Sequence, residues 1–408
     1  MGKLNLKNMC TISTIVAFGL FIVCLSPSVS AMSDNSNVVT LNNAEEVAAY
    51  YVQYVPVFMP SMSDWEDATV KYSTTFYDID GNKSAFSFDV IDNGEYAGYI
   101  LVSATRDNYP ILEFSEGSIP NDVAEFQSKS MVQASEYAVE NNLRICKAKP
   151  LYLGGTFYYI EYSLIDSSGN VSDKVVVDLI TSQSISPAKL SNFSSVNTNS
   201  VDFNNELLQQ NKVEAANELW NSLENRMDSG NLTPDAMKSS RGLGWVDDVP
   251  AYEWYRGCSP TASAMVLGYW DTQGYPDFTN NETLLIDELA DAMNTGSGGN
   301  TSMSNIPIGI EDVCEDYGYN DFESSNEYYV TWSETKSEID GDRPFVLSVF
   351  DGGVGSGHSK PYNNHSVTCI GYSDYTEDYV FIHDTWDENT HHIAFDNWDR
   401  AHATWVIP

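Results

Sequence analysis

Basic side chains are scarce in this sequence. Its 408 residues include 20 lysines and arginines against 58 aspartates and glutamates, which gives a formal net charge of −38. A surface of this charge repels phosphate backbones and anionic lipid, so we expect a partner that is not a nucleic acid. We interpret the excess of carboxylates as an aid to solubility.

Cysteine is also sparse. Of the six cysteines, Cys10 and Cys24 belong to an N-terminal apolar segment, and the others are Cys146, Cys258, Cys314 and Cys369. Four cysteines in a chain of this length do not make a disulfide scaffold. We expect at most one disulfide if one thiol is to stay free for chemistry.

A long apolar run occurs once, at residues 11–25. It follows the basic residues Lys3 and Lys7 and precedes the small residues 29–31, which is the pattern of a cleaved signal peptide over residues 1–31. The run is shorter than the roughly 20 residues that a membrane-spanning helix needs. We therefore expect a secreted or extracellular protein, free or associated with a cell surface, without stable insertion into a membrane.

The rest of the chain is long enough for two domains of ordinary size. Residues 32–195 alternate helical and strand patterns, with a hairpin over residues 70–89 and an amphipathic helix over residues 121–142. This alternation predicts an α+β domain with a pro-domain or accessory role. Residues 196–244 predict a linker that contains a helix, and residues 245–408 form the predicted second domain.

Histidine is absent from the first 357 residues. The six histidines lie at positions 358, 365, 383, 391, 392 and 402. Because histidine is the commonest general base at neutral pH, we place the catalytic site in the second domain. A metal site would need three or four converging ligands, which this spacing does not suggest, so we predict neither a metal nor a cofactor.

The second domain opens with a cysteine at a predicted helix start. Pro260 fits only the first turn of a helix, and the apolar face of that helix follows at Ala262, Met265, Val266 and Tyr269. Cys258 then lies at the helix N-terminus, where unpaired amides and the helix dipole favour a thiolate. Gly257 allows the backbone and a substrate to approach closely. The same features fit a buried structural cysteine.

A hairpin near the end of the chain brings a histidine toward a carboxylate. If a four-residue loop joins strands 365–372 and 378–384, His365 lies directly opposite Asp384. A carboxylate on one imidazole nitrogen fixes the tautomer, and the other nitrogen can then take a proton from a thiol. A slip of one residue would put His383 on this face, so His383 is the alternative base. We interpret the other histidines as surface or packing residues, because none has an acidic partner at an interpretable spacing.

Three segments, in order, resemble the secreted papain-like relatives of the bacteriocin-leader-processing peptidases, which have a C39-like peptidase domain. They are the helix start at 257–262, the histidine strand at 364–372 and the strand end at 380–384. The resemblance covers residues 245–408. It implies a papain-like fold in which the cysteine helix packs on an antiparallel sheet.

The resemblance also implies roles for three residues, with Cys258 as nucleophile, His365 as base and Asp384 as the residue that orients the histidine. The sequence departs from the family at Tyr252, where members often carry a glutamine that helps to hold the oxyanion, and at Ser259, where glycine is commoner. The Cys258 amide can supply one oxyanion donor, and Tyr252 or Trp254 are the candidates for the other.

The first half resembles the propeptide and inhibitor modules of secreted peptidases in its hairpin pattern and domain order. We therefore predict a cysteine peptidase with a protein or peptide substrate and no cofactor. Its first half would act in cis as an inhibitory or folding pro-domain, released by cutting in the loop at 228–244. Two other functions stay open, which are acyl transfer by the same triad and non-catalytic binding by a secreted protein on a degenerate peptidase scaffold.

Overall fold

The structure is a computed structural model, and it describes residues 37–185, 203–230, 242–278, 281–350, 364–375 and 377–408. The predicted signal peptide and most of the predicted cutting loop lie outside the described residues. Residues 37–408 form one compact unit. The predicted bounds of the two domains stay a prediction.

The helices follow the apolar periodicities of the sequence. In the described part of the chain they are α1 (Leu41–Phe58), α2 (Ala124–Glu140), α3 (Phe203–Ser229), α4 (Cys258–Thr272), α5 (Glu282–Ala292), α6 (Asn305–Asp316) and α7 (Trp332–Ile339). None of these helices is long and apolar enough to cross a membrane.

The strands divide between the two halves of the chain. The first half contributes β1 (Thr69–Tyr77), β2 (Lys83–Asp92), β3 (Glu95–Ser103), β4 (Ile111–Ser115), β5 (Arg144–Tyr152), β6 (Tyr158–Ile165), β7 (Val171–Asp178) and β8 (Ser184–Ile185). The second half contributes β9 (Leu243–Trp245), β10 (Glu323–Glu327), β11 (Phe345–Phe350), β12 (Asn364–Ser373), β13 (Tyr379–His383), β14 (His391–Ala394) and β15 (Arg400–Ile407).

All of these strands join in one sheet, in the order β10, β15, β11, β12, β13, β14, β4, β3, β2, β1, β5, β6, β7, β8, with β9 paired to β12. Neighbours are antiparallel except for β1 and β5, which are parallel at one residue pair. Strand β4 of the first half pairs with β14 of the second. The sheet is therefore continuous across both halves of the chain.

Helix α4 packs on β11 and β12 of this sheet. Its residues 259–269 are buried, because it lies between the sheet on one side and α5 and α6 on the other. Strands β12 and β13 are buried along almost their whole length. The α+β class is confirmed, and so is the packing of the cysteine helix on an antiparallel sheet.

Candidate active site

Cys258 is the first residue of α4, and Pro260 occupies the first turn as predicted. The thiol-bearing residue is partly exposed, while the residues that follow it are buried. Gly257 precedes the helix at a point of close backbone approach, where a Cβ would lie 2.7 Å from the carbonyl oxygen of Gly299. Glycine is needed here because a loop of the protein itself occupies the space.

His365 lies on β12 with its imidazole against the Cys258 thiol. Its Nε2 lies 2.8 Å from the backbone carbonyl oxygen of Asp384. A carbonyl can only accept, so Nε2 carries the proton and Nδ1 is left to exchange a proton with the thiol. The structure thus places the predicted nucleophile and the predicted base together.

The contact between thiol and imidazole shifts both groups toward an ion pair. Burial by itself would raise the pKa of Cys258, but the hydrogen bond and the charge of His365 outweigh it and lower that pKa. Burial would lower the pKa of His365, but the hydrogen bond and charge of Cys258 raise it. A thiolate beside an imidazolium is the nucleophilic form of such a pair.

Buried hydroxyl groups fix the histidine strand against the helix start. Ser366 Oγ lies 2.9 Å from Ser259 Oγ and 2.8 Å from Ser348 Oγ. Thr368 Oγ1 donates to the carbonyl oxygen of Ala262 at 2.9 Å. Ser259, which departs from the commoner glycine, is therefore a cross-link between α4 and β12 that holds Cys258 near His365.

The predicted hairpin register is wrong. Thr368 pairs with His383, and Ser373 pairs with Tyr379, with a bulge between Cys369 and Gly371. The loop is longer than four residues and the bulge makes up only part of the resulting shift, so His365 does not face Asp384 across the ladder. Asp384 follows the last residue of β13 and reaches the imidazole through its backbone carbonyl.

The carboxylate of Asp384 points away from His365. Its Oδ1 accepts from the Trp386 amide at 2.9 Å, and its Oδ2 lies 3.2 Å from His391 Nε2. The Asp384 side chain is fully buried. Burial raises its pKa, and the charge of His391 acts against that rise. This aspartate therefore contacts the histidine through its main chain, while its side chain is held by other partners.

The sequence predicts no acidic partner for His391, and that prediction is wrong. Its imidazole is fully buried, and Nε2 donates to Asp387 Oδ1 at 3.2 Å. Burial would lower the pKa of His391, but the charge of Asp384 and the hydrogen bond and charge of Asp387 raise it to about 9. The acid four residues before His391 was the available signal.

One group of described residues could hold a metal ion, since Asp384, Asp387 and His391 place one ligand atom each within 4.8 Å of one another. A metal would need His391 Nε2 without its proton. In the metal-free protein the acids around His391 raise its pKa to about 9, so Nε2 carries a proton at neutral pH.

The alternative base, His383, has a different environment. Its Nδ1 lies 3.1 Å from the carbonyl oxygen of Pro250, and burial lowers its pKa to about 4. The ring is thus neutral and bound to the main chain. The nearest acid along the chain, Asp384, is turned toward His391.

The two oxyanion candidates occupy different places near the helix start. Tyr252 packs against the apolar cluster around α4 and α5, and burial raises the pKa of its phenol to about 12. Trp254 is more exposed, and its amide donates to the Thr385 carbonyl oxygen at 2.7 Å. Its indole ring lies next to Gly299. The second oxyanion donor stays a prediction.

Sequence reasoning missed Trp386. Its indole stacks on the imidazole of His365, with ring centroids 5.7 Å apart and an interplanar angle of 19°. The residue before it, Thr385, adopts a φ of 73°, which is uncommon for a β-branched side chain. The turn after β13 therefore presents both the Asp384 carbonyl and the Trp386 ring to His365.

Comparison with known proteins adds two findings. The family model described as "Peptidase_C39 like family" matches residues 246–406. A solved fragment of prointerpain A from Prevotella intermedia, with a cysteine-to-alanine mutation, is similar with a TM-score of 0.38 and 11% identity, over 83% of this chain and 98% of that chain. No curated protein matches the chain. Residues 246–406 are therefore similar to C39-like peptidases in sequence.

Proposed function

We propose that this protein is a cysteine peptidase that cleaves peptide bonds through a thioester, with Cys258 as nucleophile and His365 as general base. The contact between the Cys258 thiol and the His365 imidazole carries the proposal, because it lowers the pKa of the thiol despite burial. An activated thiol is what separates a catalytic cysteine from a structural one.

In this reaction the Cys258 thiolate attacks the scissile carbonyl carbon. His365 gives its Nδ1 proton to the leaving amine as the C–N bond breaks, and the thioester forms. A water molecule then gives a proton to Nδ1 and adds to the thioester, which releases the acid and restores the thiol. The Asp384 carbonyl holds Nε2–H throughout, so Nδ1 stays directed at sulfur.

The helix start supports the oxyanion. Amides in the first turn of a helix have no partner within the helix, and the Cys258 amide belongs to that turn. It can donate to the oxyanion that forms next to its own sulfur. Trp254 or Tyr252 is proposed as the second donor, and Asp384 as the third member of the triad.

Labelling with a thiol-directed epoxide tests the proposal. We expect one adduct, on Cys258, when the native protein is treated at low dose and mapped by mass spectrometry. Cys314 and Cys369 should stay free, because burial raises their pKa values to about 12. Exposed Cys146 is the internal control for simple accessibility. Labelling of Cys146 as fast as Cys258 would favour a non-catalytic binding protein.

We further propose that the protein is exported and is made as a precursor. The basic start, apolar run and small residues of 1–31 support export. The half before the linker would act as a pro-domain of the folding kind, which is supported by the sheet it shares with the second half. A cut between the halves would leave that sheet in place.

Self-processing gives a further expected result. A precursor with intact Cys258 should be cut within residues 228–244 over time, and Cys258→Ala should stay whole, as judged by the N-termini of the fragments. The two fragments should elute together in gel filtration, because β4 and β14 remain paired. A precursor that stays whole while fully active would overturn the processing step.

A further inference from the structure

The two halves of the chain meet where β4 pairs with β14, on the side of His365 where Asp384 and His391 lie. On β14, His391 pairs with Ser115 of β4, and Ile393 pairs with Glu113. Ser115 Oγ also donates to the Thr390 carbonyl oxygen at 2.8 Å. The strand that carries His391 is therefore fixed by backbone and side-chain contacts from the first half.

A buried chain of polar groups continues from this seam to the imidazole of His365. Tyr99 donates its hydroxyl proton to Glu113, and its oxygen lies 3.0 Å from His391 Nδ1. With that hydroxyl proton directed at Glu113, the oxygen accepts from Nδ1–H. His391 Nε2 faces Asp384 Oδ2, and the Asp384 carbonyl accepts from His365.

The charges around His391 come from both halves of the chain. Asp384 and Asp387 face it from the turn after β13, and Glu113 faces it from β4, with Glu113 Oε1 4.0 Å from Nδ1. The neighbouring His383 and His392 are kept neutral by burial. In the described part of the chain, His391 is thus the cation that faces these three acids, and the Tyr99 hydroxyl lies 3.0 Å from its Nδ1.

A second contact reaches His365 through rings. Tyr158 of β6 meets Trp386 edge to face, with centroids 5.7 Å apart. Trp386 also stacks on the imidazole of His365 and meets the ring of His391 edge to face. Because Tyr158 is almost fully buried, the first half restricts the movement of this ring as well.

We propose that the first half is a permanent part of the catalytic site, in which Tyr99 and Glu113 are positioning residues that hold His391 and, through Asp384, the imidazole of His365. The inference rests on the proposed peptidase function. Removal of an inhibitory pro-domain would raise the activity, whereas loss of these contacts lowers it.

The physical reason is the cost of an unpaired buried group. Without Tyr99 the Nδ1–H of His391 has no acceptor, and without the Glu113 carboxylate the Tyr99 hydroxyl loses the acceptor that orients it. A displaced His391 imidazole no longer supports the Asp384 carboxylate, which lies 3.2 Å from its Nε2. The carbonyl that fixes His365 Nε2 then becomes mobile, and the thiol loses the partner that lowers its pKa.

The test uses full-length Tyr99→Phe and Glu113→Gln variants with two matched controls. Tyr162→Phe removes a buried hydroxyl that contacts Ser130, and Glu161→Gln removes a buried carboxylate paired with lysines. Both control residues lie in the same half, away from His391. Folding is checked by thermal denaturation. The readouts are kcat/KM on an unfolded protein substrate and the pH dependence of Cys258 alkylation by iodoacetamide.

We expect about a tenfold loss of kcat/KM for Tyr99→Phe and for Glu113→Gln. A loss of this size corresponds to the free-energy cost of leaving one buried polar group without a hydrogen-bond partner. The midpoint of Cys258 alkylation should move to higher pH, by about one unit for a tenfold weaker ion pair. The sign follows because His365 lowers the pKa of the thiol in the native protein. The controls should leave both quantities unchanged.

Each outcome decides between the two proposals. If the variants match their controls in kcat/KM and in alkylation, the first half is not part of the site and the inference is wrong. If the native protein has no peptidase activity, the proposed function fails, while the alkylation profiles still test the link from Tyr99 to His365. If Glu113→Gln does not fold, the isosteric Tyr99→Phe decides the result.

Discussion

Replacement of Cys258 by alanine should abolish hydrolysis of an unfolded protein substrate, with a fall in kcat of at least about 10⁴-fold. No other described cysteine can substitute for it. Cys314 and Cys369 are buried, and burial raises their pKa values to about 12, so they stay thiols at neutral pH. The measurement is the rate of peptide-bond cleavage by purified variants at equal concentration.

The matched controls are Cys314→Ala and Cys369→Ala. Each removes a buried thiol that packs in the core, so a modest loss of stability is expected without loss of turnover. Thermal denaturation identifies the temperature at which all variants are folded. Equal loss of activity in the three folded variants would show that the thiol was assigned wrongly.

His365→Ala should lower kcat by about 10³-fold or more, because it removes both the base and the group that lowers the pKa of Cys258. The same variant should lose the fast epoxide labelling of Cys258 at neutral pH. Both rates are measured on the folded protein.

His383→Ala is the control for this variant. His383 is neutral and bonded to the Pro250 carbonyl, so its removal should change stability more than turnover. Full activity of His365→Ala together with an inactive His383→Ala would reverse the assignment of the base.

The cysteine helix could be predicted because its signals are local. Pro260 stands within three residues of Cys258 and fits only a first helical turn. The position of the thiol and the helix start therefore follow from a short stretch of sequence, while the packing of the helix on an antiparallel sheet was implied by the family resemblance.

The sequence predicted which residue contacts His365, but not which of its atoms makes the contact. Asp384 was identified by its position at the end of the next strand, and it does contact the imidazole. The contact uses the main chain because a bulge between Cys369 and Gly371 and a longer loop shift the ladder. The local sequence pattern predicts neither the bulge nor the loop length, because each depends on how both strands pack.

By itself, the sequence determined the α+β class and the start of α4 at Cys258, because these depend on patterns along continuous stretches of the chain. Tertiary structure decided the surroundings of the site. Tyr99 and His391 are 292 positions apart, yet they share a hydrogen bond. Such a contact depends on which strand edges meet, here β4 and β14, and that choice is made by the packing of the whole sheet.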